Sequence, residues 1–143
     1  MNDSTAESGA IELVPVGRVA SSLVDPAAAP RQGDEGAPEA WLVFNADMRD
    51  AVAGLEVDTE MLVLTWLDRA DRHVLVVHPR GDPSRPLQSV FTTRSQDRPN
   101  PIGLHRVRIV GTDGLRVRVQ NLEAVDGTPV LDVKPLLGAV DER

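Results

Sequence analysis

The chain has 143 residues, a net charge of −7 and a hydrophobic fraction of 41%, which is typical of one globular domain with its own core. Cysteine is absent, which excludes disulfides, zinc–thiolate and iron–sulfur sites and a cysteine nucleophile. The three histidines are scattered along the sequence, so we expect no metal site. No apolar run approaches the ~18 residues that span a membrane, and residues 1–10 do not resemble a secretory signal. We therefore predict a cytoplasmic protein without membrane contact.

The N-terminal half predicts strands, a long loop and one helix. Strands are predicted at residues 11–20, 40–44 and 61–67. The segment between the first two is rich in proline and glycine, which favours a loop over residues 24–39. Asn45 is predicted to cap a helix, because apolar residues follow it at helical spacing, namely Met48, Ala51, Val52 and Leu55, and Gly54 is predicted to end this helix. Residues 1–10 and 138–143 are predicted to be tails around one domain at residues 11–137.

The C-terminal half predicts more strands and no further helix. The strands are predicted at residues 73–78, 87–93, 104–110, 115–122 and 129–134. The strand at 73–78 is expected to be buried, whereas apolar and polar residues alternate along 115–122, so one face of that strand is expected to contact solvent. About seven strands and one short helix indicate an all-β protein whose mainly antiparallel sheet forms a barrel or a sandwich.

The charge is unevenly distributed along the chain. Residues 69–108 contain 8 basic and 3 acidic side chains, a local excess of +5 within an acidic protein. This pattern indicates a local anionic partner. The alternative is a solvated, arginine-rich surface without a partner.

The segment TTRSQDRPNPIG, at residues 92–103, combines arginine, asparagine and proline. Each proline holds the preceding residue extended, so Arg98 and Asn100 are expected on a stiff loop, and Gly103 is expected to permit a close approach. Arginine and asparagine on such a loop suit a carboxylate, a phosphate or an adenine edge. The alternative is a proline-stiffened turn in which Asn100 caps backbone groups.

The segment DGTPVLDVKP, at residues 126–135, is the second candidate. Asp126 can close an Asx-turn in which Gly127 takes a positive φ. Asp132 and Lys134 share one face of a strand, where they form either part of a ligand site or a surface ion pair of little energetic weight. Neither a Walker loop nor a G-x-G-x-x-G motif is present.

Together, TTRSQDRPNPIG and NLEAVDGTPVLDVKP closely resemble the TsaA/YaeB family, also called TrmO-like. That family carries T-R-S-x-x-R-P-N-P-I-G, followed about twenty residues later by D-x-x-D-G-T-P-V-x-D-x-K-P. The resemblance covers roughly residues 11–137. It implies a small antiparallel β-barrel that binds S-adenosylmethionine (SAM), forms a homodimer and methylates N6-threonylcarbamoyladenosine beside the tRNA anticodon.

The resemblance also implies site residues by position. The expected cofactor-binding residues are Gln32, Gly33, Asp34, Asp68, Arg69, Arg94, Leu104, Gln120, Asn121, Leu122 and Glu123. Among the other motif residues, the chemistry of the side chains makes Asp126 a candidate base. Arg98, Asn100 and Lys134 are candidates for orienting the substrate or polarising its carbonyl.

Four departures from the family pattern affect the expected substrate. This chain has Ser21-Ser22-Leu23 in place of Ser-Pro-Tyr, Asp68-Arg69 in place of His-Gln, and Leu136 in place of Tyr. The C-terminal extension of the long members has no counterpart here. The main hypothesis, which follows from the resemblance, is a SAM-dependent tRNA methyltransferase. The alternatives are a methyltransferase of the same fold for another RNA or a small molecule, and a SAM-binding module without catalysis.

Overall fold

The structure is a computed structural model that describes residues 9–23 and 38–138. Most of the predicted loop at 24–39 and most of both predicted tails lie outside the described residues. The expected cofactor-binding residues Gln32, Gly33 and Asp34 also lie outside them.

The described chain is mostly β-structure with one short α-helix, as predicted. Its strands are β1 (Gly17–Ala20), β2 (Ala40–Phe44), β3 (Glu60–Trp66), β4 (Val76–Val77), β5 (Gln88–Ser89), β6 (Ile102–Asp113), β7 (Arg116–Gln120) and β8 (Pro129–Pro135). Six of them form an antiparallel sheet in the order β1-β2-β7-β6-β3-β8. Strand β1 pairs with both β2 and β8, so the sheet closes on itself.

The core fills the inside of this closed sheet because apolar residues alternate along its strands. In β7, Val117 and Val119 are buried while Arg116 and Arg118 point outward, which confirms the predicted solvent-facing side. In β3, Met61, Val63 and Thr65 are the buried residues. The alternation in β3 therefore places one polar side chain, Thr65, among apolar ones.

The helical segment lies against one side of the sheet. It begins as a 3₁₀ helix at Ala46–Met48 and continues as α1, Arg49–Val52. Asn45 precedes this segment as predicted, but its side chain does not cap it. The Asn45 Nδ2 group instead donates a hydrogen bond to the Pro15 carbonyl at 2.9 Å. The Asn45 side chain thereby connects the end of β2 to the segment before β1.

Three predicted strands differ from the observed elements. Residues 11–16 are not strand, and the ladder of β1 starts only after Pro15, which has no N–H to contribute. The predicted buried strand at 73–78 is wrong, since only the two residues of β4 form a strand, in a separate exposed hairpin with β5. The predicted strand at 87–93 turns after β5 into a 3₁₀ helix, Val90–Thr92.

The predictions at 73–78 and 87–93 fail for the same physical reason. Among the residues that the structure describes, no second layer packs over the hairpin β4–β5, and Leu75, Val76 and Leu87 stay more than half exposed. The intervening loop contains a further 3₁₀ turn, Pro79–Gly81. Within residues 9–23 and 38–138, no helix is long and apolar enough to cross a membrane.

Candidate functional site

A cleft lies where the ends of several elements meet, and we call it the Arg94 cleft. The segment after β3, the loop before β6, the start of β6 and the β7–β8 loop each contribute to its lining. The lining residues are Leu67, Asp68, Arg69, Arg94, Ser95, Gln96, Arg98, Ile102, Gly103, Leu104, His105, Glu123, Ala124, Val125 and Thr128. Five of the predicted cofactor-binding residues are thereby brought together: Asp68, Arg69, Arg94, Leu104 and Glu123.

Arg94 and Asp68 offer opposite charges to a ligand in the cleft. Both side chains are exposed. Neither side chain forms a hydrogen bond or an ion pair with any residue that the structure describes. A free guanidinium can bind a carboxylate with two parallel hydrogen bonds, and a free carboxylate can accept from hydroxyl or ammonium groups. The cleft can therefore bind a molecule that carries both kinds of group.

Arg98 lines the same cleft but is already engaged. Its guanidinium donates to three backbone carbonyls, those of Val90, Thr93 and Ser95. These carbonyls flank Arg94 in the chain. Arg98 therefore fixes the loop that presents Arg94, and its predicted role toward the substrate stays a prediction.

Asn100 does not line the cleft. Its side-chain oxygen accepts a hydrogen bond from Arg72 at 3.0 Å, and Arg72 also donates to the Pro99 carbonyl at 2.8 Å. The Arg72 guanidinium in turn lies 5.1 Å from the centre of the Trp66 ring. Asn100 thus anchors the proline loop to the segment after β3, and does not cap backbone groups as the alternative interpretation expected.

A hydrogen-bonded network of three polar side chains, Thr65, His105 and Glu123, lies at the cleft. Only Glu123 was predicted from the sequence as a site residue. His105 Nε2 lies 2.7 Å from Thr65 Oγ1, and His105 Nδ1 lies 2.6 Å from Glu123 Oε1. Thr65 is fully buried and His105 is 4% exposed. The available signal was the alternation in β6, which turns His105 inward together with Val107 and Ile109.

Gly103 explains how this network fits between two strands. It lies directly opposite Thr65 in the β3–β6 ladder. A Cβ atom at Gly103 would lie 2.4 Å from Thr65 Oγ1 and 2.7 Å from His105 Nε2. The absence of a side chain at Gly103 therefore makes room for the Thr65–His105 hydrogen bond. The predicted close approach at Gly103 is made by the side chains of Thr65 and His105.

Asp126 and Lys134 lie outside the lining of the cleft. Asp126 Oδ1 accepts from the Ser21 backbone N–H at 2.9 Å, so it joins the β7–β8 loop to the segment after β1 and does not close the predicted Asx-turn. The catalytic role of Asp126 stays a prediction. Lys134 forms an exposed ion pair with Asp132 at 3.2 Å, as the structural alternative expected. Gly127 has a φ of 85°, as predicted.

The stretch before Glu123 contributes less than expected. Gln120 donates to Glu39 at 3.1 Å, Asn121 adopts a left-handed backbone with a φ of 71°, and Leu122 is fully buried in the core. None of the three lines the cleft. The turn at Asn121 lets the chain leave β7 and bring Glu123 to the cleft.

Among the described residues, a lowered pKa is found for two carboxylates, and both lie away from the cleft. A hydrogen bond from Arg106 lowers the pKa of Glu60. Hydrogen bonds from Ser84 lower the pKa of Asp82.

The sequence of this cleft and its surrounding sheet matches a described family. Residues 18–142 match the model of the tRNA-methyltransferase O N-terminal domain. The chain belongs to this TrmO family. The match spans every described strand except the start of β1, so the closed sheet and the Arg94 cleft are features of a TrmO-family domain.

Relatives and solved structures agree with this membership. A probable S-adenosyl-L-methionine-binding protein of Methanothermobacter thermautotrophicus is 41% identical over 131 residues, which are 92% of this chain and 93% of that protein. An S-adenosyl-L-methionine-binding protein of Archaeoglobus fulgidus is 37% identical over 129 residues, 90% of this chain and 91% of that protein.

The crystal structure of TrmO from Pseudomonas aeruginosa superposes with a TM-score of 0.75 at 28% identity. The similarity covers 94% of this chain and 59% of that one. This chain therefore spans about three fifths of the solved TrmO, but nearly the whole length of the two archaeal relatives.

Proposed function

We propose that this protein is a SAM-dependent methyltransferase that holds its cofactor in the Arg94 cleft and acts on a modified adenosine in tRNA. The observation that carries the proposal is the Arg94 side chain. Its guanidinium lies at the cleft without a partner among the described residues, and it belongs to the T-R-S motif of a TrmO-family domain. The two archaeal relatives described as SAM-binding proteins support the choice of cofactor.

The groups in the cleft fit SAM chemically. The cofactor carries a carboxylate, an ammonium group, two ribose hydroxyls and an apolar adenine face. Arg94 can bind the carboxylate. Asp68 and Glu123 can accept from ammonium or hydroxyl donors, and Ile102 and Leu104 contribute apolar surface, each more than two fifths exposed.

SAM supplies a methyl group activated by its sulfonium. For such an in-line displacement, the protein contributes mainly by holding donor and acceptor together in one orientation. Arg98 supports this task because it fixes the Arg94 loop through three carbonyls. Arg72 fastens the following proline loop in the same manner. The cleft is thus bordered by stiffened loops and not by free ones.

The proposed acceptor is N6-threonylcarbamoyladenosine beside the anticodon, in the cytoplasm. The family name refers to tRNA methylation, and residues 69–108, which supply much of the cleft lining, carry a charge excess of +5. Phosphate contacts through arginine would position an RNA there. The solved TrmO is longer than this chain, so the acceptor is the part of the proposal that most needs a direct test.

A second candidate is a protein that binds SAM without transferring its methyl group, or that methylates another RNA or a small molecule. The relatives that match nearly the whole length of this chain favour the binding protein, because they are described only as SAM-binding.

We also propose a homodimer. The hairpin β4–β5 and the turn after it leave Leu75, Val76, Leu87 and Phe91 exposed, and exposed apolar side chains gathered on one element favour association.

One assay separates these functions. The protein is incubated with methyl-labelled SAM and total tRNA, and the nucleosides are then analysed. Label in the threonylcarbamoyl derivative supports the proposal, whereas label in another nucleoside or in a small-molecule extract supports the alternative acceptors. SAM binding without transfer to any fraction supports the binding protein.

A further inference from the structure

The proposed function so far uses only one member of the buried network Thr65–His105–Glu123, the Glu123 carboxylate. Its three members come from β3, β6 and the β7–β8 loop, and both of its hydrogen bonds are short, at 2.7 and 2.6 Å. Buried polar groups are costly unless they are hydrogen-bonded. In this network both nitrogens of the His105 ring have a hydrogen-bond partner, so the ring is held in one orientation.

For an ionised Glu123 and a neutral His105 ring, the chemistry of the partners determines the direction of both hydrogen bonds. An ionised carboxylate only accepts, so His105 donates its Nδ1–H to Glu123. In the neutral ring Nε2 is then the acceptor, and the Thr65 hydroxyl donates to it. The order hydroxyl, imidazole, carboxylate is that of a hydrolase triad. Thr65 is fully buried, however, so its hydroxyl cannot reach a substrate as a nucleophile.

His105 and Glu123 both line the cleft, and the Glu123 carboxylate is the more exposed end of the network. The Glu123 side chain is 16% exposed and lines the cleft. One of its oxygens is bound to His105, and its other oxygen has no partner among the residues that the structure describes. The network therefore presents one acceptor oxygen, held in place from below, to whatever occupies the cleft.

We infer that His105 is a positioning residue that holds Glu123 as the acceptor for a hydrogen-bond donor of the cofactor. This inference rests on the proposed function, in which SAM occupies the Arg94 cleft. The donor belongs either to the ribose hydroxyls or to the ammonium group. Gly103 is part of the same device, since any side chain there would collide with Thr65 and His105.

Two substitutions at His105 separate its two hydrogen bonds. The amide nitrogen of asparagine can replace Nδ1, whereas that of glutamine lies near the position of Nε2. We expect His105→Gln to weaken SAM binding about tenfold, the effect of losing one hydrogen bond to a charged group, and His105→Asn to keep most of the affinity. The measurements are SAM titration by calorimetry and the melting temperature. His73→Gln, at an exposed histidine outside the cleft, is the matched control.

A merely structural histidine would give a different result. Both variants would then lose melting temperature together, and their SAM affinities would not differ, which would overturn the inference. Should neither variant fold, Glu123→Gln tests the accessible end of the network, again with an expected loss of about tenfold. Unchanged affinity in that variant would also overturn it.

Two further titrations complete the test. With 5′-methylthioadenosine, which lacks the ammonium group, a persistent loss in His105→Gln assigns the donor to the ribose, and its disappearance assigns it to the ammonium. Arg94→Ala distinguishes the two proposals. If Arg94→Ala weakens SAM binding and His105→Gln does not, only the inference on His105 fails. If Arg94→Ala has no effect, the cofactor is not in this cleft.

Discussion

Arg94 is the side chain on which the proposed cofactor binding depends most. It is exposed and has no partner among the described residues, so its removal leaves no buried group unsatisfied. We expect Arg94→Ala to weaken SAM binding by about 1.5–3 kcal/mol, roughly ten- to a hundredfold. The melting temperature should stay unchanged. Calorimetry and thermal unfolding measure the two quantities.

Arg85→Ala is the matched control for that experiment, because among the described residues the Arg85 side chain forms only an exposed ion pair with Asp82, 3.8 Å away and outside the cleft. A drop in melting temperature for Arg94→Ala, with SAM affinity intact, would show that Arg94 is structural.

Asp126 has two candidate roles at the same scale. As a structural contact it needs only an acceptor for the Ser21 N–H, which asparagine retains, so Asp126→Asn should fold and bind SAM normally. We expect its methyl-transfer rate to fall on the order of 10²–10⁴-fold, because the amide cannot act as the predicted base. Asp126→Ala loses the acceptor as well and should lower the free energy of unfolding by about 1 kcal/mol. Almost normal methyl transfer by Asp126→Asn would show that Asp126 is a structural contact only.

At the scale of the elements, the contact between strands β3 and β6 leaves no room for a side chain at Gly103. Gly103 and Thr65 lie opposite each other, and the space of a side chain at Gly103 is taken by the Thr65–His105 pair. We expect Gly103→Ala to break that hydrogen bond and lower the free energy of unfolding by roughly 1–3 kcal/mol. Chemical denaturation measures the loss.

Gly111→Ala, in the same strand, is the control. A Cβ there would meet only Arg118 atoms at 3.6 Å and beyond, which is ordinary contact, so this variant should be almost as stable as the wild type. Equal stability of the two variants would mean that β3 and β6 adjust to the added methyl group without loss.

At the scale of the whole molecule, we expect the hairpin β4–β5 to form the interface of the proposed homodimer. Phe91, which follows it, is 78% exposed, so replacing it costs the core nothing. We expect light scattering at micromolar concentration with SAM present to give a dimer mass for the wild type and a shift toward monomer for Phe91→Ser. Val57→Ser, at another exposed apolar residue, should remain dimeric. A clean monomer mass for the wild type would contradict the dimer.

The sequence by itself determined the class of the fold and the family. Alternation is local information, so β7 and its outward arginines were predictable, and the two proline-rich motifs identify the TrmO family without any contact being known. Tertiary structure decided which of the motif residues work together. The Thr65–His105 bond joins residues 40 positions apart, and the Arg72–Asn100 bond joins residues 28 apart. Such partners are set by strand register and loop packing, and no local pattern encodes them. For the same reason Asn100, Asp126 and Lys134 look like ligand groups in the sequence, yet each has a protein partner in the fold.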